Sequence, residues 1–371
     1  AAVAPFLVYN SQFLYGFVNY NFGMALFLMA LPTWLWYRRK RSLLRFVAVT
    51  LLTTATYIAH LMGVAVLAVS MIFLTSLEWR KTRRWHNVFA IDLLPLLPAA
   101  ALYASLGRYR GDTQTIVWGS LALKARHMVV WLTSYNSRLT ILYAMVWMAA
   151  LVILFWKGRN WTGSGLLALG GLLGLLALVF PAEQVFSAGD PDSRLMVPAV
   201  AVTLLALAVE VPVLWGRVAF LLVLGTMCAR MVEIRHYWKA GDALTRTQLE
   251  LFRPLPRGAA VFPIVWLPED PEEAKRERHI WHTMEYATID NLIFFPQFFS
   301  VLGQQAVTVR RTYAHTVPGI SAEAVSWPAV FRDFDFIYTY GVDTTFQRQL
   351  DAHTDLAGVS GKGKLYRIRK R

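Results

Sequence analysis

Long apolar stretches dominate the first two thirds of the chain and constrain the fold more than any other feature. A helix needs about 20 apolar residues to cross the roughly 30 Å hydrocarbon core of a bilayer. Such stretches lie near residues 12–36, 42–59, 61–77, 87–106, 138–156, 162–180, 196–214 and 218–234. The composition agrees, because 56% of residues are hydrophobic and only 16% are charged. We therefore expect a polytopic α-helical membrane protein with about eight transmembrane helices.

Clusters of basic residues predict the orientation of these helices. The whole chain carries a formal charge of +14. Most of this excess lies in residues 1–234, which hold 19 Lys and Arg against 8 Asp and Glu. If 42–77 is two short spans that turn near His60–Gly63, most of these bases fall in alternate loops or at span ends: Arg38, Arg39, Lys40, Arg41, Arg45, Arg80, Lys81, Arg83, Arg84, Lys157, Arg159 and Arg217. The positive-inside rule assigns these loops to the cytoplasm.

Alternation then assigns the remaining loops to the other side of the membrane. The loops 107–137 and 181–195, the His60 turn and the tail after residue 234 are predicted to be extracytoplasmic. The expected location is therefore a membrane that the chain crosses several times, with the bilayer as a partner. Nucleic acid is not expected as a partner on that side. A non-Met start at Ala1 suggests a chain that lacks its N-terminal spans.

The tail has a different pattern and is predicted to be a separate domain. Short apolar runs at Ala259–Leu267, Ala306–Val309, Phe334–Tyr340 and Leu365–Ile368 alternate with helical stretches near 270–290 and 343–353. This alternation predicts a small C-terminal α/β extracytoplasmic domain over 235–371, after a transmembrane helical domain over 1–234. The alternating basic residues near the end of the chain indicate an edge strand.

Loop 107–137 is long and rich in cations for an extracytoplasmic loop. It contains Arg108, Arg110, Asp112, Lys124, Arg126 and His127. The segment Thr115–Thr133 also carries apolar residues, which predicts an amphipathic helix in the membrane interface. Its cations could bind a phosphate group at the level of the lipid headgroups, or they could reach the headgroups from a simple anchor helix. The spacing alone leaves both interpretations open.

Other polar residues lie at predicted extracytoplasmic ends of spans. Loop 181–195 contains Glu183, Asp190, Asp192 and Arg194; the aspartates could cap the next helix or belong to a site, and Arg194 could bind phosphate or lie in the interface. His60 lies at a turn, where it could form part of a site or face water. Asn19 and Asn21 are expected to form interhelical hydrogen bonds. Asp92 and Glu210 are expected to pair or cap at cytoplasmic ends.

Motifs for several other chemistries are missing. The single Cys228 excludes an intrachain disulfide and a CxxC metal site. No GxxxxGK[ST], GxGxxG, GxSxG or HExxH motif occurs. The sequence identifies no cofactor and does not decide whether the protein binds a divalent metal.

Several stretches together resemble the second half of bacterial polytopic GT-C glycosyltransferases. They are Gly16–Tyr20, Ala59–Gly63, Asp190–Arg194, Pro256–Ala259, Phe334–Ile337 and Lys364–Ile368. This family moves sugars from polyprenyl-phosphate carriers to acceptor hydroxyls outside the cytoplasmic membrane. The resemblance implies an enzyme of cell-envelope glycan assembly, with a polyprenyl-phosphate-linked sugar as donor and a glycan, lipid or protein as acceptor.

The resemblance also implies roles for particular residues. Basic residues of later extracytoplasmic loops bind the carrier phosphate in this family, and their counterparts here are Arg108, Arg110, Lys124, Arg126 and Arg194. His60, His127, Asn19 and Tyr20 are assigned to the surrounding pocket. The family's catalytic carboxylate lies just after its first span, which we expect upstream of Ala1. Asp112, Glu183, Asp190 and Asp192 are weaker candidates for that carboxylate.

Three other classes stay open on the sequence alone. An O-antigen ligase or polymerase-like enzyme also handles lipid-linked sugars, but such proteins generally lack a large α/β tail. A lipid-linked-sugar transporter would have paired broken helices in two related halves. An envelope scaffold would use the tail to bind a partner.

Overall fold

The structure is a computed structural model that is mostly helical, with a small C-terminal sheet domain. It describes residues 10, 18–82, 91–106, 118–129, 132–157, 159–162, 164–181, 191–206, 208–210, 212–277, 279–295, 325–342 and 344–370. The chain divides into two compact units. The helical unit comprises 1–230 with 302–304, and the C-terminal unit comprises 231–301 with 305–371.

The described part of the helical unit contains a helix in each of the eight predicted stretches. The helices are α1 (Val18–Arg39), α2 (Leu43–Ala59), α3 (Leu61–Thr82), α4 (Leu97–Leu106, after a 3₁₀ turn at Leu94–Leu96), α5 (Leu121–Met128), α6 (Ser137–Lys157), α7 (Ser164–Val179), α8 (Pro191–Ala206) and α9 (Val213–Glu250), whose residues after 230 belong to the C-terminal unit. Of these, α5 is the helix that falls between predicted spans. Two short strands, β1 (Arg159–Thr162) and β2 (Ala208–Glu210), pair antiparallel.

The predicted turn near His60 is a break between α2 and α3. His60 has an extended backbone (φ −166°, ψ 128°), and its N–H donates to the carbonyl of Thr56. A side chain at Gly63 would meet the Thr56 methyl group at 2.9 Å and the Gly23 carbonyl oxygen at 3.0 Å. The backbones of α1 and α3 can therefore approach closely only because Gly63 has no side chain.

The predicted span 196–214 is wrong in its bounds. Helix α8 begins earlier, at Pro191, and ends at Ala206, after which 208–210 form β2. Pro at the first helical position lacks only an N–H that would have no helical partner, and it favours a start there. The apolar run continues past Ala206, so hydropathy alone could not locate the end. Asp192 and Arg194 consequently lie inside the first turn.

Many large apolar side chains of the helical unit face outward. Two described helices are long and apolar enough to cross a membrane, over Leu61–Arg80 and Ser137–Leu154, and shorter apolar helices cover Leu43–Ala59, Ile91–Ser105 and Gly165–Val179. Leu44 is 80% exposed and Trp156 is 78% exposed. Soluble monomers rarely expose extended apolar surface without a partner or a membrane to cover it.

Asp92 pairs with arginines at the end of α1, which confirms the predicted pairing of this residue. Its carboxylate accepts hydrogen bonds from Arg38 Nε at 2.8 Å and from Arg41 Nη2 at 3.1 Å. Arg38 also contacts Glu78, and the Trp34 indole donates to the Asp92 carbonyl at 2.9 Å. This network ties the ends of α1 and α3 to the chain segment before α4. The side chain of Glu210 lies outside the described residues.

The C-terminal unit is built on a mixed four-stranded sheet. Its strands are β3 (Val261–Val265), β4 (Phe336–Tyr340), β5 (Thr354–Ser360) and β6 (Gly363–Ile368), and its shorter helices are α10 (Pro271–Glu277), α11 (Ile280–Asn291), α12 (Trp327–Asp333) and α13 (Thr344–His353). Strands β3 and β4 are parallel, and the order is β3-β4-β6-β5. The predicted strand at 306–309 lies outside the described residues.

The prediction of an edge strand at the chain end is wrong. Strand β6 pairs antiparallel with β4 on one side and with β5 on the other, so β5 forms the edge. The alternating basic residues suggested an edge because exposed charges suit edge strands. Here Lys364 is partly exposed and Arg367 is exposed, on opposite faces of β6, whereas Leu365, Tyr366 and Ile368 are buried.

Asp335 ties the start of β4 to neighbouring segments and gives a prediction about pH. Its Oδ2 accepts from the Ala260 N–H at 3.0 Å, and its Oδ1 accepts from Lys370 Nζ at 2.6 Å. Burial raises the pKa of this carboxyl, but these two hydrogen bonds and the Lys370 charge outweigh burial and hold the pKa below its ordinary value. We expect Asp335→Asn to lower the free energy of unfolding by about 1 kcal/mol at pH 7, a value reduced for solvent exposure.

The pH dependence of this effect follows from the lowered pKa. The stabilisation is fully present above the unfolded pKa of about 3.9 and is lost as the pH falls through the folded pKa. The variant and the wild type should therefore converge in acid. Peptide-resolved hydrogen exchange at β3 and β4 measures the difference. The matched control is Asp355→Asn, because Asp355 is 66% exposed in its pair with Arg369. An equal effect in both variants would contradict the prediction.

Candidate functional site

A buried cluster of charged side chains lies where α5 meets the first turn of α8. Lys124 is 5% exposed and Asp192 is fully buried. Lys124 Nζ lies 2.7 Å from Asp192 Oδ2. Buried charges are costly unless they are paired and hydrogen-bonded. The two side chains therefore hold α5 and α8 together, although they are 68 residues apart in sequence.

Lys124 also contacts the end of α7. Its ammonium group donates to the carbonyl oxygen of Phe180, the residue that follows that helix. The last carbonyls of a helix have no partner within the helix, and they carry the negative end of its dipole. The negative carboxylate of Asp192 lies near the positive start of α8. Lys124 thus bridges the end of one helix and a side chain at the start of the next.

His127 is the second partner of the same carboxylate oxygen. His127 Nδ1 lies 2.8 Å from Asp192 Oδ2, one helical turn from Lys124 on α5. The other oxygen of Asp192 accepts from the N–H of Ser193 at 2.6 Å. An ionised carboxylate can only accept hydrogen bonds, so His127 Nδ1 carries a proton. This contact orients the imidazole ring.

Arg194, Tyr20 and His60 form the adjoining part of the cluster. The Tyr20 hydroxyl donates to the Arg194 carbonyl at 2.6 Å, and the Arg194 guanidinium lies 5.8 Å from the centre of the Tyr20 ring. The Tyr20 and His60 rings meet edge to face at 5.5 Å. Arg194 is 6% exposed, and Tyr20 is fully buried. The start of α1, the α2–α3 break and the start of α8 therefore meet at one place.

His60 is held in this cluster by its own turn and by α1. Its Nδ1 accepts a hydrogen bond from the Met62 N–H at 3.0 Å. A side chain at Gly23 would come within 2.8 Å of the His60 Cβ. Because Gly23 lies on α1, His60 can pack directly against that helix. His60 is thus part of the packed cluster and does not simply face water.

The cluster has an excess of positive charge among its described side chains. Lys124 and Arg194 are cations, Asp192 is an anion, and His127 is neutral when only Nδ1 is protonated. The Lys124 ammonium and the Arg194 guanidinium are therefore both held inside one buried cluster. Arg and Lys are the side chains that bind phosphate, by a planar fork and by a point charge respectively.

The structure brings together five of the predicted site residues: Tyr20, His60, Lys124, His127 and Arg194, with Asp192 from the weaker carboxylate candidates. Arg108, Arg110, Asp112, Glu183 and Asp190 lie outside the described residues. The same holds for the side chain of Arg126, whose backbone belongs to α5. The amide oxygen of Asn19 accepts from the N–H of Tyr20 on the same helix at 2.9 Å, and the described residues include no interhelical partner for Asn19.

The predicted interfacial helix is also shorter and more buried than expected. Helix α5 covers eight residues, Leu121–Met128, within the predicted segment Thr115–Thr133. Lys124 lies inside the protein and does not extend to a lipid surface. Trp118 and Leu121 are exposed as an interfacial segment would require. The anchor interpretation therefore fails for Lys124.

Sequence reasoning missed two backbone acceptors near the site. They are the carbonyl of Phe180, which accepts from Lys124, and the carbonyl of Thr133, which accepts from Arg230 Nη2 at 2.6 Å. Phe180 precedes Pro181, which cannot continue a helix, so the sequence signals a helix end with open carbonyls there. Nothing in the sequence signals that Arg230, which is 2% exposed, would reach Thr133.

The C-terminal unit offers a weaker site. A cavity of about 430 Å³ is lined by Arg246, Leu249, Glu250, Phe252, Arg253, Ala287 and Asn291. Its arginines already form ion pairs along α9 or just beyond it, Arg246 with Asp242 and Arg253 with Glu250, each at 2.9 Å. All four side chains are more than half exposed. Such pairs are typical of an ordinary solvated helix face.

No group of three or more His, Cys, Asp and Glu side chains that could hold a metal ion occurs within the described ranges. No known family, curated protein or solved structure matches the chain. The case for a function therefore depends on the buried cluster of Tyr20, His60, Lys124, His127, Asp192 and Arg194, which we call the polar cluster.

Proposed function

We propose that the chain belongs to an integral-membrane glycosyltransferase of the GT-C type. It transfers a sugar from a polyprenyl-phosphate carrier to an acceptor hydroxyl on the extracytoplasmic side of a bacterial inner membrane. The observation that carries the proposal is the buried polar cluster, which brings the cations Lys124 and Arg194 together. Such a cluster suits an anionic headgroup whose lipid chain stays in the membrane.

The described polar contacts support a membrane arrangement with several spans. Each contact joins residues that the positive-inside rule assigns to the same side. On the extracytoplasmic side they are Tyr20–Arg194, Lys124–Asp192 and Arg230–Thr133; on the cytoplasmic side they are Arg38–Asp92, Arg38–Glu78 and the β1–β2 pair. Contacts of this kind are expected when successive helices alternate in direction across a membrane.

The length of α1 supports the same arrangement. Tyr20 belongs to the polar cluster, and Arg38 belongs to the Asp92 network. Eighteen residues separate them, which is about 27 Å along a helix. That distance is close to the roughly 30 Å hydrocarbon core, and no charged residue lies between them.

The cations contribute to transfer by stabilising the leaving group. In an inverting reaction a base removes the proton of an acceptor hydroxyl, and the oxygen attacks the anomeric carbon. The bond from that carbon to the carrier phosphate breaks, and negative charge develops on the phosphate. Lys124 and Arg194 are held in place before the reaction by Asp192 and Tyr20. Preorganised cations in a site that excludes water stabilise such charge most effectively.

Binding of a short carrier analogue tests the phosphate part of this proposal. Farnesyl phosphate should bind the purified chain in nanodiscs of neutral lipid, while uncharged farnesol should bind at least tenfold more weakly. Arg194→Gln should weaken farnesyl phosphate binding about tenfold, equivalent to about 1.4 kcal/mol, without changing farnesol binding. Arg126→Ala should act in the same direction. Native mass spectrometry of lipid-bound protein gives both affinities.

A matched control uses an arginine of the opposite predicted side. Arg217 is exposed and lies on α9 near the proposed cytoplasmic surface, so Arg217→Gln should leave farnesyl phosphate binding unchanged. Transfer itself is tested by the release of farnesyl phosphate from farnesyl-phosphate-linked hexoses and pentoses. Equal binding of farnesol and farnesyl phosphate would overturn the carrier site, and release from none of these donors would overturn the transferase.

A further inference from the structure

The contact between His127 and Asp192 does more than neutralise charge. Because Asp192 accepts the proton of Nδ1, the other ring nitrogen, Nε2, carries a lone pair in the neutral imidazole. No hydrogen-bond partner of Nε2 occurs within the described part of the chain, and the His127 side chain is 15% exposed. The ring is thus fixed on one side and available as a proton acceptor on the other.

Lys124 contacts the same carboxylate oxygen of Asp192 as His127 does. Its ammonium group lies 2.7 Å from that oxygen. The carboxylate is therefore paired with a cation in addition to its contact with the imidazole. A neutral histidine oriented by a carboxylate is the arrangement in which an imidazole works as a general base.

We propose that His127 Nε2 accepts the proton of the acceptor hydroxyl, and that Asp192 is the positioning residue that sets its tautomer and direction. This inference rests on the proposed glycosyltransferase function and adds the identity of its base. It places the base within this chain. Asp192 itself is fully buried and engaged by Lys124, His127 and Ser193, so it is unsuited to reach an acceptor.

The proposed step balances without any further reactant. The acceptor O–H bond breaks and its proton moves to His127 Nε2, while the acceptor oxygen forms a bond to the anomeric carbon. The bond between that carbon and the phosphate oxygen breaks, and its electron pair leaves with the polyprenyl phosphate. The imidazolium then returns its proton to water. Lys124 and Arg194 supply the positive charge that stabilises the leaving phosphate in this assignment.

Modification by diethylpyrocarbonate tests the orientation of His127 without any substrate. The reagent attacks a neutral ring nitrogen with a free lone pair, and mass spectrometry locates each modified histidine in the full chain. We expect His127 to be modified in the wild type, and Asp192→Asn to slow this modification at least fivefold, because an amide can donate to Nδ1 and favour the tautomer protonated at Nε2. Unfolding would have the opposite sign and raise the rate.

The exposed His236 on α9 provides an internal reference for this experiment. Its modification rate should be equal in the wild type and in Asp192→Asn. A His127 that is unreactive in the wild type, or equally reactive in both proteins, would overturn the orientation by Asp192.

Turnover then separates this inference from the proposed function. His127→Gln should reduce the release of farnesyl phosphate from its sugar-linked donors at least 100-fold while leaving the Kd for farnesyl phosphate within threefold. Loss of turnover with intact binding supports the base. Wild-type turnover in His127→Gln overturns His127 as the base and leaves the transferase standing. Failure of the wild type to bind farnesyl phosphate overturns the carrier site instead, whatever the reactivity of His127.

Discussion

Asp192→Ala is expected to destabilise the helical unit by about 3–5 kcal/mol, the usual cost of removing one partner from a buried ion pair. Asp192 is the one described side chain that contacts both Lys124 and His127. Its removal leaves Lys124, a residue only 5% exposed, with the Phe180 carbonyl but with no counter-charge among the described side chains. Unfolding by sodium dodecyl sulfate in mixed micelles, followed by tryptophan fluorescence, measures the loss.

A second substitution distinguishes the unpaired charge from other effects. Adding Lys124→Met to Asp192→Ala removes the cation that lost its partner, so the double variant should recover at least half of the lost free energy. If the carboxylate mattered mainly through its contacts with His127 and Ser193, the second change would recover nothing. A recovery of less than a quarter would therefore contradict the ion-pair explanation.

An exposed aspartate provides the matched control. Asp242 on α9 is 59% exposed and pairs with Arg246 at 2.9 Å, four residues along the helix. Asp242→Ala should change stability by no more than about 0.5 kcal/mol. The loss of stability caused by an Asp→Ala substitution would then differ severalfold between the two sites because of burial alone. A loss below 1 kcal/mol for Asp192→Ala would indicate that water reaches the polar cluster.

The pairing of Lys124 with Asp192 also illustrates what the sequence could not predict. Both residues were singled out because charges are rare in an apolar region, and rarity alone does not identify partners. The anchor and capping interpretations were equally consistent with local patterns. Burial of Lys124 depends on the packing of α5 against α8 and on the end of α7. That information is tertiary and spans 68 residues.

The spacing of apolar and charged residues along the chain predicted the helix break at His60, the pairing of Asp92 and three of the four strands of the C-terminal sheet. The break at His60 followed from the length of 42–77, which is too long for one span, and Asp92 was expected to pair at its helix end. Strands β3, β4 and β6 have apolar runs that predict them. Strand β5, by contrast, lies at the sheet edge with mostly exposed residues. It has no apolar pattern, so its pairing with β6 could not be predicted from the sequence.

The packing of α7 against α8 gives the second large expected effect. A side chain at Gly170 would place its Cβ 2.2 Å from Thr203 Oγ1 and 3.2 Å from the Ala199 carbonyl oxygen. Thr203 Oγ1 cannot easily move, because it donates to that same carbonyl at 2.8 Å. Gly170→Ala should therefore force the two helices apart and cost about 2–3 kcal/mol. The measurement is the same unfolding titration.

Gly171 is a matched control on the next residue of the same helix. It is exposed, and a Cβ there would meet nothing within 4 Å. Gly171→Ala should leave stability unchanged or raise it by up to about 1 kcal/mol, because Ala is the better helix former. Equal effects at Gly170 and Gly171 would show that helix propensity, and not close packing, governs α7.

A compensating change connects this packing to the polar cluster. Thr203→Ala removes the hydroxyl that obstructs the new methyl group, so the double variant Gly170→Ala/Thr203→Ala should regain at least half of the loss. Helix α7 leads to the Phe180 carbonyl and α8 carries Asp192, and Lys124 must reach both. Forcing these helices apart should therefore also weaken farnesyl phosphate binding, and the double variant should restore it in parallel. Loss of stability with unchanged binding would mean that the cluster tolerates a shift of its two supporting helices, and that its geometry is set by α5 alone.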